Sequence, residues 1–178
     1  APSAGHRKAE GRGDVTGNKS SRRARRALAA PPAALPRSLD LTAPVEDYLK
    51  AIYEAELSGS AAATNDIANR LQIAPASVTG MVRRLADQGL LAYERYRGVR
   101  LTDAGRRAAL RTIRRHRVIE AYLVQALGYP WDQVHPEAER LEHAASDELI
   151  DRMAAAIGQP VTDPHGAPIP TRDGVIDE

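Results

Sequence analysis

The chain has no cysteine and no phenylalanine, and its apolar residues never run together for long. Without cysteine there can be no disulfide, no thiolate metal ligand and no cysteine nucleophile. No stretch approaches the roughly 20 consecutive apolar residues that a membrane span needs. Residues 1–38 are polar, Ala/Pro-rich and basic, with no apolar core of the kind a cleavable leader carries. These absences lead us to expect a soluble, cytoplasmic protein with no membrane partner. No internal repeat is visible, and 178 residues suit one compact domain or two small ones sharing a core.

Charge is present but divided. The formal net charge is +2, yet residues 1–38 hold nine Lys/Arg against two acids, +7, and residues 39–178 hold 16 against 21, −5. The arm has almost no large apolar side chains, so it cannot bury enough surface to offset chain entropy, and we expect 1–38 to be a disordered basic arm. Its cluster Lys19-Ser-Ser-Arg22-Arg23-Ala-Arg25-Arg26 could touch nucleic-acid phosphates or serve simply as a solvated tail.

Patterned sequence begins near Leu39. Pro44 in a first turn, then Val45, Leu49, Ile52, Tyr53 and Leu57, follow helical spacing, and Ser58-Gly59-Ser60 stops that helix. Thr64 is placed to cap a second helix over Asp66–Leu71, with Ile67, Ala68 and Leu71 as its inner stripe. After the turn Gln72-Ile73-Ala74, a third helix starts at Pro75 or Ala76, buries Val78, Val82 and Leu85, and ends at Gly89. Two β-prone runs, Leu90–Glu94 and Val99–Thr102, flank Arg95-Tyr96-Arg97-Gly98 as a hairpin. Helix, turn, helix and hairpin is the outline of a winged helix-turn-helix. Thr102 or Asp103 then caps a long helix to about Leu127, closed by Gly128. His135-Pro136 opens a further helix expected to run unbroken to Ile157, with Gly158 ending it. The fold expected is mostly α: a DNA-binding winged helix-turn-helix over 39–102, a helical metal-binding and dimerisation unit over 103–158, and an irregular tail from 159 to 178.

Four places carry candidate chemistry. Ala74-Pro-Ala76-Ser77-Val-Thr79-Gly80, with Arg83 and Arg84 a turn later, offers the small polar helix start that approaches phosphates, and Arg95 and Arg97 add cations at the hairpin tip. Glu139, Glu142 and His143 share one helical face and form a sulfur-free ligand trio, although acidic helix faces are commonly just solvated. His116 and Glu120, spaced i, i+4, with His135 beyond, concentrate three of the five histidines within residues 116–143; such a group can hold a metal or be structural. Glu46-Asp47 either complements the dipole of the first helix or faces the fifth. No activated nucleophile or phosphate loop accompanies these residues, so a regulator is expected rather than an enzyme.

Taken together, several blocks fall in a known order: Val45-Glu-Asp-Tyr-Leu-Lys-Ala-Ile-Tyr53, Asp66-Ile-Ala-Asn-Arg-Leu71, Pro75-Ala-Ser-Val-Thr-Gly-Met-Val82, Leu101-Thr-Asp-Ala-Gly105, Arg115-His-Arg-Val-Ile-Glu120, His135–His143 and Asp163-Pro-His-Gly-Ala-Pro-Ile-Pro170. Over about 40–175 the chain resembles the diphtheria-toxin-repressor family of metal-dependent transcription regulators, and its manganese-responsive branch in particular. The resemblance implies a primary metal site on Asp47, Glu139, Glu142 and His143. It also implies an ancillary site on His116, Glu120 and His135, to which a C-terminal SH3-like domain adds ligands in full-length relatives. Iron-responsive relatives carry Met and Cys where this sequence has Asp47 and Glu139. Two carboxylates there favour Mn²⁺, with Fe²⁺ or another divalent transition metal as the alternative. Lys50 departs from the compact manganese regulators, which have Glu there to help bind a second adjacent ion.

The resemblance further implies a homodimer on a double-stranded DNA operator. Ser77 and Thr79 would reach phosphates, while Ala74, Ala76 and Gly80 approach thymine methyls rather than making an Arg–guanine fork. The expected output is repression of metal-uptake genes when metal is replete; a metal-independent winged-helix regulator is the rival. Ile119, Leu123, Leu149 and Ile150 are the expected dimer face.

Overall fold

The computed structural model describes residues 41–94 and 96–176; the basic arm and Arg95 lie outside the described residues. The elements are α1 (Ala43–Glu56), α2 (Thr64–Leu71), α3 (Pro75–Asp87), β1 (Leu91–Glu94), β2 (Gly98–Leu101), α4 (Asp103–Leu127), α5 (His135–Leu141) and α6 (Asp147–Ala156). This is a mostly helical protein in which a winged helix-turn-helix leads into a helical unit. Among the described residues no helix is long and apolar enough to cross a membrane.

Two apolar clusters organise it. Val45, Leu49, Ile52, Ile67, Val78, Val82, Leu85, Leu90 and Val99 meet Ala109, Leu110 and Ile113 from the first half of α4. Val118, Ile119 and Leu123 from its second half pack with Val134, Ala138, Ile150 and Ala154. The change from one cluster to the other falls inside α4, between Ile113 and Val118, so α4 contributes to both.

The hairpin pairs Leu91 with Leu101 and Glu94 with Gly98, and an isolated bridge adds Ala62 beside Val99. Gly98 is required there. Its φ is +123°, and an added Cβ would stand 2.1 Å from the Ala62 carbonyl oxygen. The same bridge lies just before α2. Ala62 exchanges both backbone hydrogen bonds with Val99, and the chain is helical from Thr64, earlier than the expected Asp66, with Ala63 as the N-cap accepting the amides of Asp66 and Ile67 through its carbonyl. Thr64 is thus the first helical residue, and its side chain caps nothing.

At the far end of α1, Glu56 is buried. Its carboxylate accepts the Leu101 amide at 2.6 Å and Arg106 Nη2 at 2.8 Å, tying α1 to the wing and to the start of α4. Thr102 caps α4 as expected, accepting the Gly105 amide.

The helix expected over 135–157 is two helices. Ser146 is extended (φ −70°, ψ 154°) and its hydroxyl accepts the Leu149 amide, with Asp147 and Glu148 in the first turn of α6. An N-cap followed by acids restarts a helix as effectively as it starts one, and the turn 142–146 separates α5 from α6. Residues 160–176 lack helix but are packed. Asp163 is buried, Thr162 bridges Pro168, and Ile169 and Ile176 lie against the second and first clusters.

Candidate metal centre and DNA face

α1 delivers Glu46, Asp47 and Lys50; α4 delivers His116 and Glu120 one turn apart; α5 and its turn deliver His135, Glu139, Glu142 and His143. They meet where the two apolar clusters adjoin. In the first group His143 Nε2 lies 2.9 Å from Asp47 Oδ1 and 3.5 Å from Glu142 Oε1. The other ring nitrogen, Nδ1, is 2.7 Å from Glu46 Oε2, and Glu46 also accepts Arg115 at 2.9 Å. Both acids of the Glu46-Asp47 pair therefore face His143. A carboxylate on the second ring nitrogen fixes which nitrogen is presented to a metal.

In the second group His116 Nε2 is 3.0 Å from Glu120 Oε1 and 3.0 Å from His135 Nδ1, which is itself 3.2 Å from Glu120 Oε1. His116 Nδ1 turns the other way, 2.5 Å from Glu142 Oε2, so one imidazole and one carboxylate link the two groups. Glu142 is wholly buried and Glu120 nearly so, at 0% and 2% exposed. Buried carboxylates facing imidazoles need compensating positive charge.

The charges respond accordingly. Burial works against the His116 imidazolium, but hydrogen bonds to Glu120 and Glu142 prevail and push its pKa up to about 9. For His143 burial again opposes the charged form, and Glu46, Asp47 and Glu142 lift it above the ordinary value. Burial raises the Asp47 carboxyl, with Glu142 adding to the effect and His143 countering it. Glu120 is held below the usual range, its burial outweighed by His116 and His135.

Ligand atoms of Asp47, Glu142 and His143, and separately of His116, Glu120 and His135, all lie within 4.8 Å of one another inside each group. That spacing and an all-oxygen-and-nitrogen donor set fit a divalent transition ion. Glu139 does not join Asp47. Its Oε1 accepts Lys50 Nζ at 2.7 Å and stands 3.5 Å from His135 Nε2.

A further grouping places Asp163 and His165 beside Glu120, with His165 Nδ1 3.5 Å from Glu120 Oε2. Asp163 Oδ1 accepts the amides of His165 and Ala167, which sets the turn that presents the imidazole. The Asp163-Pro-His-Gly run was visible in the sequence, but nothing local said that it folds back onto α4.

In the helix-turn-helix, α3 buries Val78, Val82 and Leu85 and exposes Ala76, Ser77, Thr79, Gly80, Arg83 and Arg84, with Ala74 exposed as its N-cap. A Cβ added to Gly80 would meet nothing within 4 Å, so packing does not require the glycine. Arg97 is exposed at the wing and pairs with Glu94 at 3.3 Å. Of the expected dimer face, Ile119, Leu123 and Ile150 are buried within the chain's own second cluster, and Leu149 remains exposed. The helical stripe faces inward because α6 lies on α4.

Comparison with known proteins matches residues 40–99 to the N-terminal DNA-binding domain of iron-dependent repressors and residues 102–171 to their metal-binding and dimerisation domain. The iron-dependent repressor IdeR of Mycobacterium leprae is 38% identical over 138 residues, 78% of this chain and 59% of that protein. The chain thus spans under two thirds of that relative's length. The HTH-type transcriptional regulator MntR of Lysinibacillus sphaericus is 36% identical over 64% of this chain and 81% of its own length. Among solved structures, a manganese-dependent transcriptional repressor in complex with manganese superposes with a TM-score of 0.68 at 45% identity, over 75% of this chain and 62% of the other.

Proposed function

The chain belongs to the iron-dependent, or diphtheria toxin, repressor family, and from that membership we propose that it is a transcriptional regulator, not an enzyme, that binds a DNA operator in response to a divalent metal, with Mn²⁺ preferred over Fe²⁺. The observation that carries this reading is the position of Asp47, Glu142 and His143: α1 of the helix-turn-helix and the turn after α5 share one ligand group. Asp47, Glu142 and His143 would hold one ion, with Glu139 the neighbouring carboxylate that the family pattern adds. His116, Glu120 and His135 would hold a second, with His165 beside them. A bound ion supplies the positive charge that lets these buried carboxylates stay together. Oxygen ligands at Asp47 and Glu139, in a chain without cysteine, favour Mn²⁺ over softer ions.

The DNA-facing surface would be Ala74, Ala76, Ser77, Thr79 and Gly80, with Arg83, Arg84, Arg97 and Arg95 supplying phosphate contacts. Two copies would place their α3 helices in successive major-groove faces, so the working form is a homodimer, and a DNA partner makes the location cytoplasmic. Metal-replete repression of uptake genes is the expected output.

The test is selection of duplexes from a random library with the full chain and Mn²⁺, followed by gel-shift titration of the selected duplex with Mn²⁺, Fe²⁺ or chelator. Binding that rises with Mn²⁺ and is lost under chelation supports the reading. Binding indifferent to chelator would replace it with a metal-independent winged-helix regulator, and a response to Fe²⁺ alone would replace the ion.

A further inference from the structure

Arg115 precedes His116 on α4 and serves the other ligand group. Adjacent residues of a helix do not share a face, so α4 sends His116 to the second group and Arg115 toward the first. Arg115 Nη1 donates to Glu46 Oε1 at 2.9 Å, and its Nε and Nη2 both lie 3.1 Å from Asp147 Oδ1. Glu46 gives its second oxygen, Oε2, to His143 Nδ1 at 2.7 Å. Asp147 gives its second oxygen to Arg111 Nη2 at 2.6 Å. Asp147 follows His143 closely in the chain, so side chains and backbone close a ring: His143, Glu46, Arg115, Asp147 and the turn back to His143.

The ring encloses the segment that most needs holding. The turn 142–146 carries Glu142 and His143, and its amides at Ala144 and Ala145 both reach the single carbonyl of Leu141. The Glu46 and Arg115 side chains are largely buried, at 9% and 15% exposed. Burial works against the Asp147 carboxylate, but Arg111 and then Arg115 outweigh it and hold its pKa below the usual range. Arginine suits the place, because a planar guanidinium can engage two carboxylates at fixed angles where an ammonium is a point charge. Arg111 ties α4 to α6 through the same Asp147, whereas the tie to Glu46 is made by Arg115.

We propose that Arg115 is a positioning residue of the first ligand group: through Glu46 it sets the His143 ring with Nε2 toward Asp47 and Glu142, and through Asp147 it anchors the turn that carries Glu142 and His143. This rests on the metal-responsive reading above. A carboxylate that accepts from Nδ1–H leaves Nε2 as the nitrogen whose lone pair meets a metal, and it does so reliably only while the carboxylate is itself held. Arg115 holds it, since Nη1 takes up Oε1 and leaves Oε2 for the ring. The same guanidinium reaches from α1 to the start of α6. The first group draws Asp47 from α1 and its other two ligands from the turn before α6, so one side chain of α4 braces both of its halves.

The experiment titrates the full wild-type chain, Arg115→Met, Arg111→Met, Glu46→Gln and the double variant Glu46→Gln with Arg115→Met, using Mn²⁺ alone in a calorimeter. His143→Ala and His135→Ala assign the heats of the first and second groups, and urea midpoints of the metal-free chains report folding. Arg115→Met should weaken the first group about tenfold, the lower end of what outer partners of a ligand contribute, and leave the second unchanged. Arg111→Met should lower the urea midpoint and leave both affinities at their wild-type values. In the double variant the two losses should fall short of adding, because Arg115 acts in part through Glu46. Should Arg115→Met not fold, Arg115→Lys takes its place: the charge is kept, the planar fork is lost, and the first group should again weaken while the second does not. An unchanged first-group affinity in the folded variant, an equal loss in Arg111→Met, or fully additive losses overturns the proposal. A wild-type chain that takes up no Mn²⁺ overturns the metal-responsive reading on which this rests, a result distinct from the others.

Discussion

The two candidate ligand groups look alike in composition and differ in what they join. Asp47, Glu142 and His143 span the two apolar clusters, with one ligand on α1 and two beyond α5. His116, Glu120 and His135 sit on α4 and α5, and their nearest addition, His165, comes from the packed tail. Each group is anchored by a glutamate that is almost fully buried. The first group can therefore register where α1 lies relative to the rest, whereas the second is a local clasp between α4, α5 and the tail. Their chemistry is similar, but the elements that carry them make the two groups different.

Glu142 belongs to the first group and touches His116 of the second, so its removal should have the largest effect. Glu142 has 0% exposure and lies between Lys50, His116 and His143. Leaving those cations unpaired should cost about 3 kcal/mol in urea unfolding of the metal-free chain, along with the Mn²⁺ response of duplex binding. A fully stable Glu142→Ala chain would mean that the groups are not linked through this carboxylate.

His143→Ala and His135→Ala then separate the groups directly. His143→Ala should abolish metal-dependent duplex binding in gel shifts, while His135→Ala, whose side chain is 62% exposed, should move the Mn²⁺ midpoint and keep the response. Equal loss in both would break the distinction. Glu46→Gln sharpens it: loss of the carboxylate behind His143 should weaken the first group's Mn²⁺ affinity by about 10–100-fold and leave the second unchanged in calorimetry.

His116 gives the comparison a pH signature. Its folded pKa is about 9 against 6.5 for the free side chain. A raised pKa contributes stability that is fully present below about pH 6.5 and is lost as pH rises through about 9. The metal-free urea midpoint should fall over that interval, and Glu120→Gln should flatten the fall. The smallest change expected is at Gly80→Ala. It should stabilise α3 by up to about 1 kcal/mol, since alanine favours helix and space is open, yet weaken duplex binding through the lost close approach. Unchanged DNA affinity would remove Gly80 from the DNA face.

Much of this was readable from residue order. The α1 stripe Val45, Leu49 and Ile52, the hairpin around Gly98 and the Thr102 cap all follow from local rules, because spacing and turn chemistry act within a few residues. The i, i+4 and i, i+3, i+4 spacings of the ligands were likewise local. Other features depended on partners distant in sequence. Ser146 reads as one more polar residue until its cap is seen, and Ala62 gains its strand-like pairing only through Val99. The inward turn of Ile119, Leu123 and Ile150 follows from α6 packing on α4, which no single helix encodes. His165 entered the centre by the same route, from a tail whose approach to α4 is tertiary.

Glu56, at the end of α1 away from the ligands, has a mechanical consequence. Because its one carboxylate is bonded to both the Leu101 amide and Arg106, α1 cannot tilt without carrying the wing and the start of α4 with it. The reading head is thus built as a stiff tool on a handle, and the handle ends in the ligands. On the metal-responsive reading proposed above, a signal at Asp47 would meet no loose joint before it reached the wing, so an ion would change where the tool is aimed while its cutting edge kept its shape.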